Sequence, residues 1–169
     1  MKLSEEQTGT LLRPIAQHRV KVLDGNSYVE QFDIRAAMNR IFGFTGWGLT
    51  VTDLTPLYEV PTETRAGKPA FKVAYRCSVR LTIYGDPDCH YDGASVGESV
   101  MPDFKRGDAH DMALKTAESG ALKRAATCLG DQFGLSLYDG GSLHPVVKRV
   151  VGYNTADGQP GWVGPDAAV

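Results

Sequence analysis

The sequence has no apolar run approaching the roughly 18 residues that a membrane-spanning helix requires, and no secretory hydrophobic stretch near its start. Its three cysteines, Cys77, Cys89 and Cys128, are an odd number at wide spacing with no CxxC pair. That pattern excludes a disulfide framework, and the adjacency of Cys89 and His90 does not supply zinc-finger spacing. These absences predict a cytoplasmic protein in reducing surroundings, with no membrane partner. Nucleotide and hydrolase signatures are missing as well. There is no GxxxxGKS/T loop, and GASVGES has the glycines but no lysine to reach a phosphate. No GxSxG elbow occurs.

Charge of one sign is absent in two places. Residues 65 to 84 contain Arg65, Lys68, Lys72, Arg76 and Arg80 and no Asp or Glu, within a chain of formal net charge -2. Segregated charge of this kind can bind an anion locally whatever the total. The final stretch GYNTADGQPGWVGPDAAV has neither Lys nor Arg and is rich in glycine and proline, so residues 151–169 are expected to form a flexible tail. Residues 1–150 then constitute one domain. A 169-residue chain with 42% hydrophobic and 22% charged residues can bury a core without metal or disulfide support.

The stretch that organises the chain is Asp108 to Leu137, which predicts one long helix with a glycine-punctuated exit and Asp108 as its N-cap. Ala109, Ala113, Ala117, Ala121 and Ala125 recur every fourth position and share a face that can approach another backbone closely, within the chain or between subunits. Another ridge alternates Lys115, Ser119, Lys123 and Thr127, with Arg124 beside it. Taken alone, such a ridge is a solvated face.

Ser4 and Gln7 have the spacing of a capping box, placing a short helix near the start. After a turn at Asp24, Gly25 and Asn26, the segment YVEQFDIRAAMNRIFG carries Ile34, Ala37, Met38 and Ile41 at helical spacing and ends at Gly43. Phe42, Phe44 and Trp47 among three glycines predict a tight turn pinned to the core, with packing preferred over stacking on bases.

FKVAYRCSVRLTIY alternates strictly and predicts a strand whose odd positions are apolar. Lys72, Arg76 and Arg80 stand on its other face at intervals of about 13 Å. That row is either a phosphate track or a solubilising, edge-protecting face. The preceding WGLTVTDLTPLYEV slips phase at Leu54 and contains Pro56, which fits a bulge or an edge position. ETRAGKPA is expected as a hairpin loop, Gly85 to Pro87 as a further turn and CHYDGASVGESV as a third strand. PDFKRGD is expected as an exposed basic connection through Lys105 and Arg106. The order predicts an α+β fold in which an antiparallel sheet packs with the long helix. HPVVKRVVGY is expected to add one short element.

Glu98, Asp103, Asp108 and Asp111 are the carboxylates from which a metal-dependent nuclease could be built. Their bland reading is helix capping and loop solvation.

Three ordered segments resemble the Rad52 family of single-strand annealing proteins. YVEQFDIRAAMNRIFGFTGWG is similar to the family's N-terminal signature, FKVAYRCSVRLTI to its central strand, and SGALKRAATCLGDQFG to its signature helix and glycine-punctuated exit. The resemblance runs from about Tyr28 to Asp139. It implies a core that assembles into an oligomeric ring, holds single-stranded DNA in a basic groove and anneals complementary strands without a nucleotide cofactor, in recombination and repair. By position, Lys115, Lys123 and Arg124 match the family's inner groove, and Lys105 and Arg106 fall in the segment associated with an outer site. Two positions depart from the pattern. Asp33 stands where the family has a basic residue, and Thr127 where it has another arginine, so Arg35, Arg40 and the row Lys72, Arg76 and Arg80 are candidates to supply the missing charge. The family's long partner-recruiting region has no counterpart, which by analogy suits a phage system working in a bacterial cytoplasm. A single-strand binding protein or an exonuclease is then a candidate partner. The alternatives are the nuclease and a single-strand binding protein that does not anneal.

Overall fold

The structure is a computed structural model and describes residues 3–84, 88–154 and 160–163. The chain divides into two compact units, Met1–Trp47 with Ala126–Val169, and Gly48–Ala125.

Within the first unit, α1 (Glu5–Leu11) begins at a complete capping box. The Ser4 hydroxyl accepts from the Gln7 amide, and the Gln7 side chain accepts from the Ser4 amide. A short 3-10 turn at Gln17–Arg19 leads into β1 (Val20–Leu23), which pairs antiparallel with β2 (Asn26–Val29). The turn expected at Asp24 to Asn26 is thus the tip of a hairpin. Asp24 and Gly25 both have positive φ, 50° and 78°, as a two-residue hairpin loop requires, so Asp-Gly between VKVL and NSYV was the available signal. The second helix, α2 (Gln31–Phe42), buries Ile34, Ala37, Met38 and Phe42 and stops at Gly43, whose φ is 80°.

Asp33 has a structural explanation here. Its carboxylate accepts from the Arg19 guanidinium at 2.8 Å, and the same guanidinium donates to the Gln132 side chain and carbonyl at 2.8 and 2.9 Å. The two charged side chains are only 9% and 15% exposed. Gln132 also donates to the carbonyls of Arg13 and Pro14. Asp33 therefore neutralises a buried arginine that ties the segment before β1 to α2 and to the segment after the long helix.

In the second unit, β3 (Trp47–Glu63), β4 (Pro69–Ile83) and β5 (His90–Pro102) form a sheet in the order β3-β4-β5. The edge position expected for the strand with Pro56 is where β3 lies. The turn between β3 and β4 closes at Thr64 and Lys68, with Gly67 at positive φ. β4 and β5 pair from Ala70 opposite Pro102 to Thr82 opposite His90. The turn expected at Gly85 to Pro87 lies outside the described residues. Odd positions of β4 face the core: Val73, Cys77, Val79 and Leu81 have no exposed surface.

The long helix, α3 (Arg106–Thr127), covers this face of the sheet. Its five stripe alanines are fully buried, and β5 shows why. A Cβ on Gly97 would collide with the Ala113 carbonyl and the Ala117 amide, and one on Gly93 with the Ala121 carbonyl and the Ala125 amide. Helix backbone rests directly on strand backbone, an approach only glycine facing alanine allows. The small-residue face is thus used inside the subunit.

Both predicted ends of this helix need correction. It starts at Arg106 without Asp108 as cap, because the 3-10 turn Asp103–Lys105 runs straight into it and places Asp108 in the first turn. It stops at Thr127, ten residues before Leu137, because Gly130 and Gly134 take φ of 100° and 88° and convert the remainder to two 3-10 turns, Asp131–Phe133 and Leu135–Tyr138. Asp131 in this exit is fully buried, and its carboxylate accepts from the amides of Val146 and Val147, fastening the following segment. The last pair is β6 (Val150–Asn154) with β7 (Pro160–Val163), antiparallel. The rest of the stretch expected as a tail, 155–159 and 164–169, lies outside the described residues.

The packing generates three expectations. Gly97→Ala should cost about 3 kcal/mol or more in denaturant unfolding, since the collision is with backbone. Gly107→Ala, where nothing lies within 4 Å, should be neutral or stabilising by up to about 1 kcal/mol. Asp33→Ala should destabilise by about 3 kcal/mol through the uncompensated Arg19, measured the same way.

Candidate nucleic-acid interface

The outer face of the sheet carries the predicted cation row, and the fold supplies each cation with an acid. Arg80 stands directly opposite Asp92 on β5 and donates to both its carboxylate oxygens at 2.8 Å. Arg76 pairs with Asp53 of β3 at 2.9 Å, and Lys72 with Glu98 of β5 at 2.9 Å. Thr55 donates to Asp53, and the Tyr58 hydroxyl donates to Glu98. These partners fix the protonation of the face. Hydrogen bonds from Thr55 and then Arg76 hold the Asp53 carboxyl below its usual range, as Arg80 does for Asp92, and Tyr58 followed by Lys72 for Glu98. Reciprocally, Glu98 raises Lys72 and Tyr58, and Asp92 raises Arg80. The row is a ladder of ion pairs, each cation already holding a carboxylate. The cations are evident in the sequence, whereas Asp53 and Asp92 become their counter-ions only in the folded sheet, which sets strand register.

On α3 the alanine stripe is sealed, and the basic ridge lies away from it. Lys115 is exposed and pairs with Asp111 one turn earlier. Lys123 is half-buried, and Arg124 is exposed with its guanidinium donating to the Ala94 carbonyl at 2.6 Å. Thr127 is the half-buried last residue of the helix. At the helix start Lys105 and Arg106 are both exposed. Phe104, immediately before them, is 84% exposed. An aromatic next to a Lys-Arg pair in a polar connection was the signal for this residue, and the sequence reading did not single it out.

The other unit holds Arg35, half-buried on α2, and Arg40, exposed near the end of that helix. Arg40 lines a cavity of about 430 Å³ with Ser4, Gln7, Thr10 and Gln132. The aromatic turn after α2 divides in a way the packing expectation did not allow. Phe42 is buried and the Trp47 indole donates to the Asn39 side chain at 2.8 Å, but Phe44 is 87% exposed. Gly43, at positive φ, turns the chain so that alternate aromatics part company.

The carboxylates of the nuclease alternative do not assemble. Glu98 is held by Lys72 and Tyr58, and Asp111 by Lys115. Among the described residues no three His, Cys, Asp or Glu side chains come together as metal ligands. All three cysteines are free, and burial pushes the Cys77 thiol up, away from reactivity. No helix among the described residues is long and apolar enough to cross a membrane.

Comparison with known proteins identifies the family. The family described as Rad52/22 family double-strand break repair protein matches residues 5–152. The chain is 28% identical over 123 residues to DNA repair and recombination protein rti1 of Schizosaccharomyces pombe, covering 72% of this chain and 31% of that protein. It is 29% identical over 122 residues to DNA repair and recombination protein RAD52 of Eremothecium gossypii, covering 72% and 26% respectively. The chain therefore spans about a quarter to a third of the length of the curated relatives it matches.

The lowered carboxylates give a pH expectation with a defined sign. Their folded values lie below the unfolded ones, so the ladder's contribution is present above about pH 4 and is lost as pH falls through the folded values. Urea midpoints should decline slightly as pH falls below about 4, as expected of exposed pairs, and the slope should flatten in a variant carrying Asp53→Asn, Asp92→Asn and Glu98→Gln.

Proposed function

Because this chain belongs to the Rad52/22 family of double-strand break repair proteins, we propose that it binds single-stranded DNA and anneals complementary strands without a nucleotide cofactor. The observation that carries the reading is the division of α3. Its alanine face is consumed by the sheet, which leaves Lys115, Lys123 and Arg124 along the helix and Lys105 and Arg106 at its start.

Annealing needs no bond chemistry. Two polyanionic strands repel, and each folds back on itself unless it is held open. A surface that neutralises phosphates on one side while leaving base edges free lowers both barriers. The lysines and arginines of α3 take phosphates, and the exposed Phe44 and Phe104 rings offer stacking surfaces for bases. Arg35 and Arg40 supply further charge, and the ladder of Lys72, Arg76 and Arg80 joins by exchanging carboxylate for phosphate. One subunit spans few nucleotides, so homo-oligomers, as a ring, extend the track. The relatives named as DNA repair and recombination proteins support recombination as the setting.

Two labelled complementary strands should become duplex in EDTA at unchanged length. Product shortening would identify a nuclease, and inhibited pairing a coating protein. With about four phosphates neutralised per subunit, single-strand affinity should fall roughly fiftyfold between about 50 and 200 mM salt. Replacing Lys123 and Arg124 with alanine should weaken binding to all sequences alike and reduce the salt slope by about 1.4. Unchanged affinity in that variant would remove α3 from the interface.

A further inference from the structure

Arg106, placed at the interface by the proposed function, belongs to a charged cluster in the second unit. Glu59 of β3 divides its carboxylate between two partners. Oε1 meets the Arg106 guanidinium, and Oε2 lies 3.0 Å from Nε2 of His110, one turn further along α3. The far side of the imidazole is also held, with Nδ1 2.8 Å from the Tyr75 hydroxyl of β4. The Tyr75 and His110 rings meet edge-on, 5.8 Å apart at 71°. The Arg106 guanidinium lies over the Phe71 ring at 4.1 Å. Glu59 and His110 are about one-third exposed, and Arg106 about half.

In this arrangement a carboxylate occupies the guanidinium that the proposed function assigns to a phosphate. Carboxylate and phosphate can each present two oxygens to the planar fork of arginine, so they compete for the same donors. Glu59 does not have to be expelled into solvent to yield, because His110 already holds its second oxygen. The titratable and charged groups in contact with His110 are Glu59 from β3 and Tyr75 from β4, and Arg106 of its own helix is joined to it through Glu59. On β5, Met101 packs against the core of Val73, Ala109 and Ala113 and does not titrate. With neutral imidazole the Tyr75 hydroxyl donates to Nδ1 and Nε2–H donates to Glu59. With imidazolium the hydroxyl rotates and accepts from Nδ1–H. The network therefore accommodates both protonation states of His110 without moving a heavy atom.

We propose that Glu59 is an internal stand-in for phosphate at Arg106, and that His110, held in place by Tyr75, receives its carboxylate when single-stranded DNA displaces it. This inference rests on the DNA-binding reading. Arg106 is the residue that touches DNA; Glu59, His110 and Tyr75 act through it as positioning residues. Linkage sets the sign of the pH effect. A phosphate on Arg106 leaves Glu59 with one cationic partner fewer, which favours the proton on His110, so binding takes up a proton and tightens as pH falls from about 8 to about 6.

The test is fluorescence anisotropy of a labelled oligothymidylate at about pH 8 and about pH 6, with thermal melting of every variant to confirm folding. Glu59→Gln removes the competitor while preserving shape. It should bind about two- to fivefold more tightly than wild type at pH 8, the range expected of a partly exposed ion pair. It should also lose most of the extra tightening at pH 6. In an Arg106→Ala background the same substitution should give no gain. Tyr75→Phe should leave affinity at pH 8 unchanged and reduce the pH 6 increment, which a merely structural role for the hydroxyl would not do. Wild-type affinity in Glu59→Gln, an undiminished pH increment, or an equal gain in the Arg106→Ala background would overturn the inference alone. Failure of the wild-type protein to bind the oligonucleotide would overturn the proposed function and this inference with it.

Discussion

The contact of α3 with β5 is the constraint on which the second unit depends. Gly93 and Gly97 admit the backbone of a helix whose facing residues are all alanine, so two regular elements meet with almost no side chain between them. Dispersion between closely packed backbones rewards the approach, and any added methyl opposes it. Once that face of the helix is committed, its other residues have no choice of direction. Lys115, Lys123 and Arg124 lie off the alanine stripe because the seam needs alanine, and Arg124 reaches back over its edge to the Ala94 carbonyl of β5.

A second theme is that positive charge in this chain is compensated locally. Arg19 is matched by Asp33, Lys72 by Glu98, Arg76 by Asp53, Arg80 by Asp92 and Arg106 by Glu59. The buried pair and the exposed pairs play different parts. Arg19 and Asp33 join segments far apart in sequence, and removing one partner strands the other charge. The exposed pairs contribute little to stability individually. What they do is set a threshold: a polyanion gains a guanidinium only where it outcompetes a carboxylate already in place. Under the proposed function, that threshold is what salt and, where histidine shares the carboxylate, protons would shift.

The family resemblance and the geometry meet at the departures from the family pattern. Asp33 removes an expected positive charge from α2, and the structure gives it a different task, as the counter-ion of Arg19. Phe44 moves the other way. Expected in the core, it stands almost wholly in solvent, because Gly43 reverses the chain direction between two neighbouring aromatics.

Local chemistry was legible in the sequence wherever it was decided by a few neighbouring residues. The Ser4 and Gln7 capping box, the Gly43 stop, the alternation of β4, the alanine stripe of α3 and the three family segments are all of this kind. The helix boundaries were less so, since Gly130 and Gly134 signal an exit without saying how early it begins. The hairpin at Asp24 and Gly25 was written in the residues and was read only as a turn. The sequence alone determined which residues are cationic and which helix face is small. Only the tertiary structure decided which cations have partners, because strand register brings Asp53, Asp92 and Glu98 beside the row and the packing of α3 on the sheet brings Glu59 beside Arg106, and both depend on contacts between residues far apart in the chain.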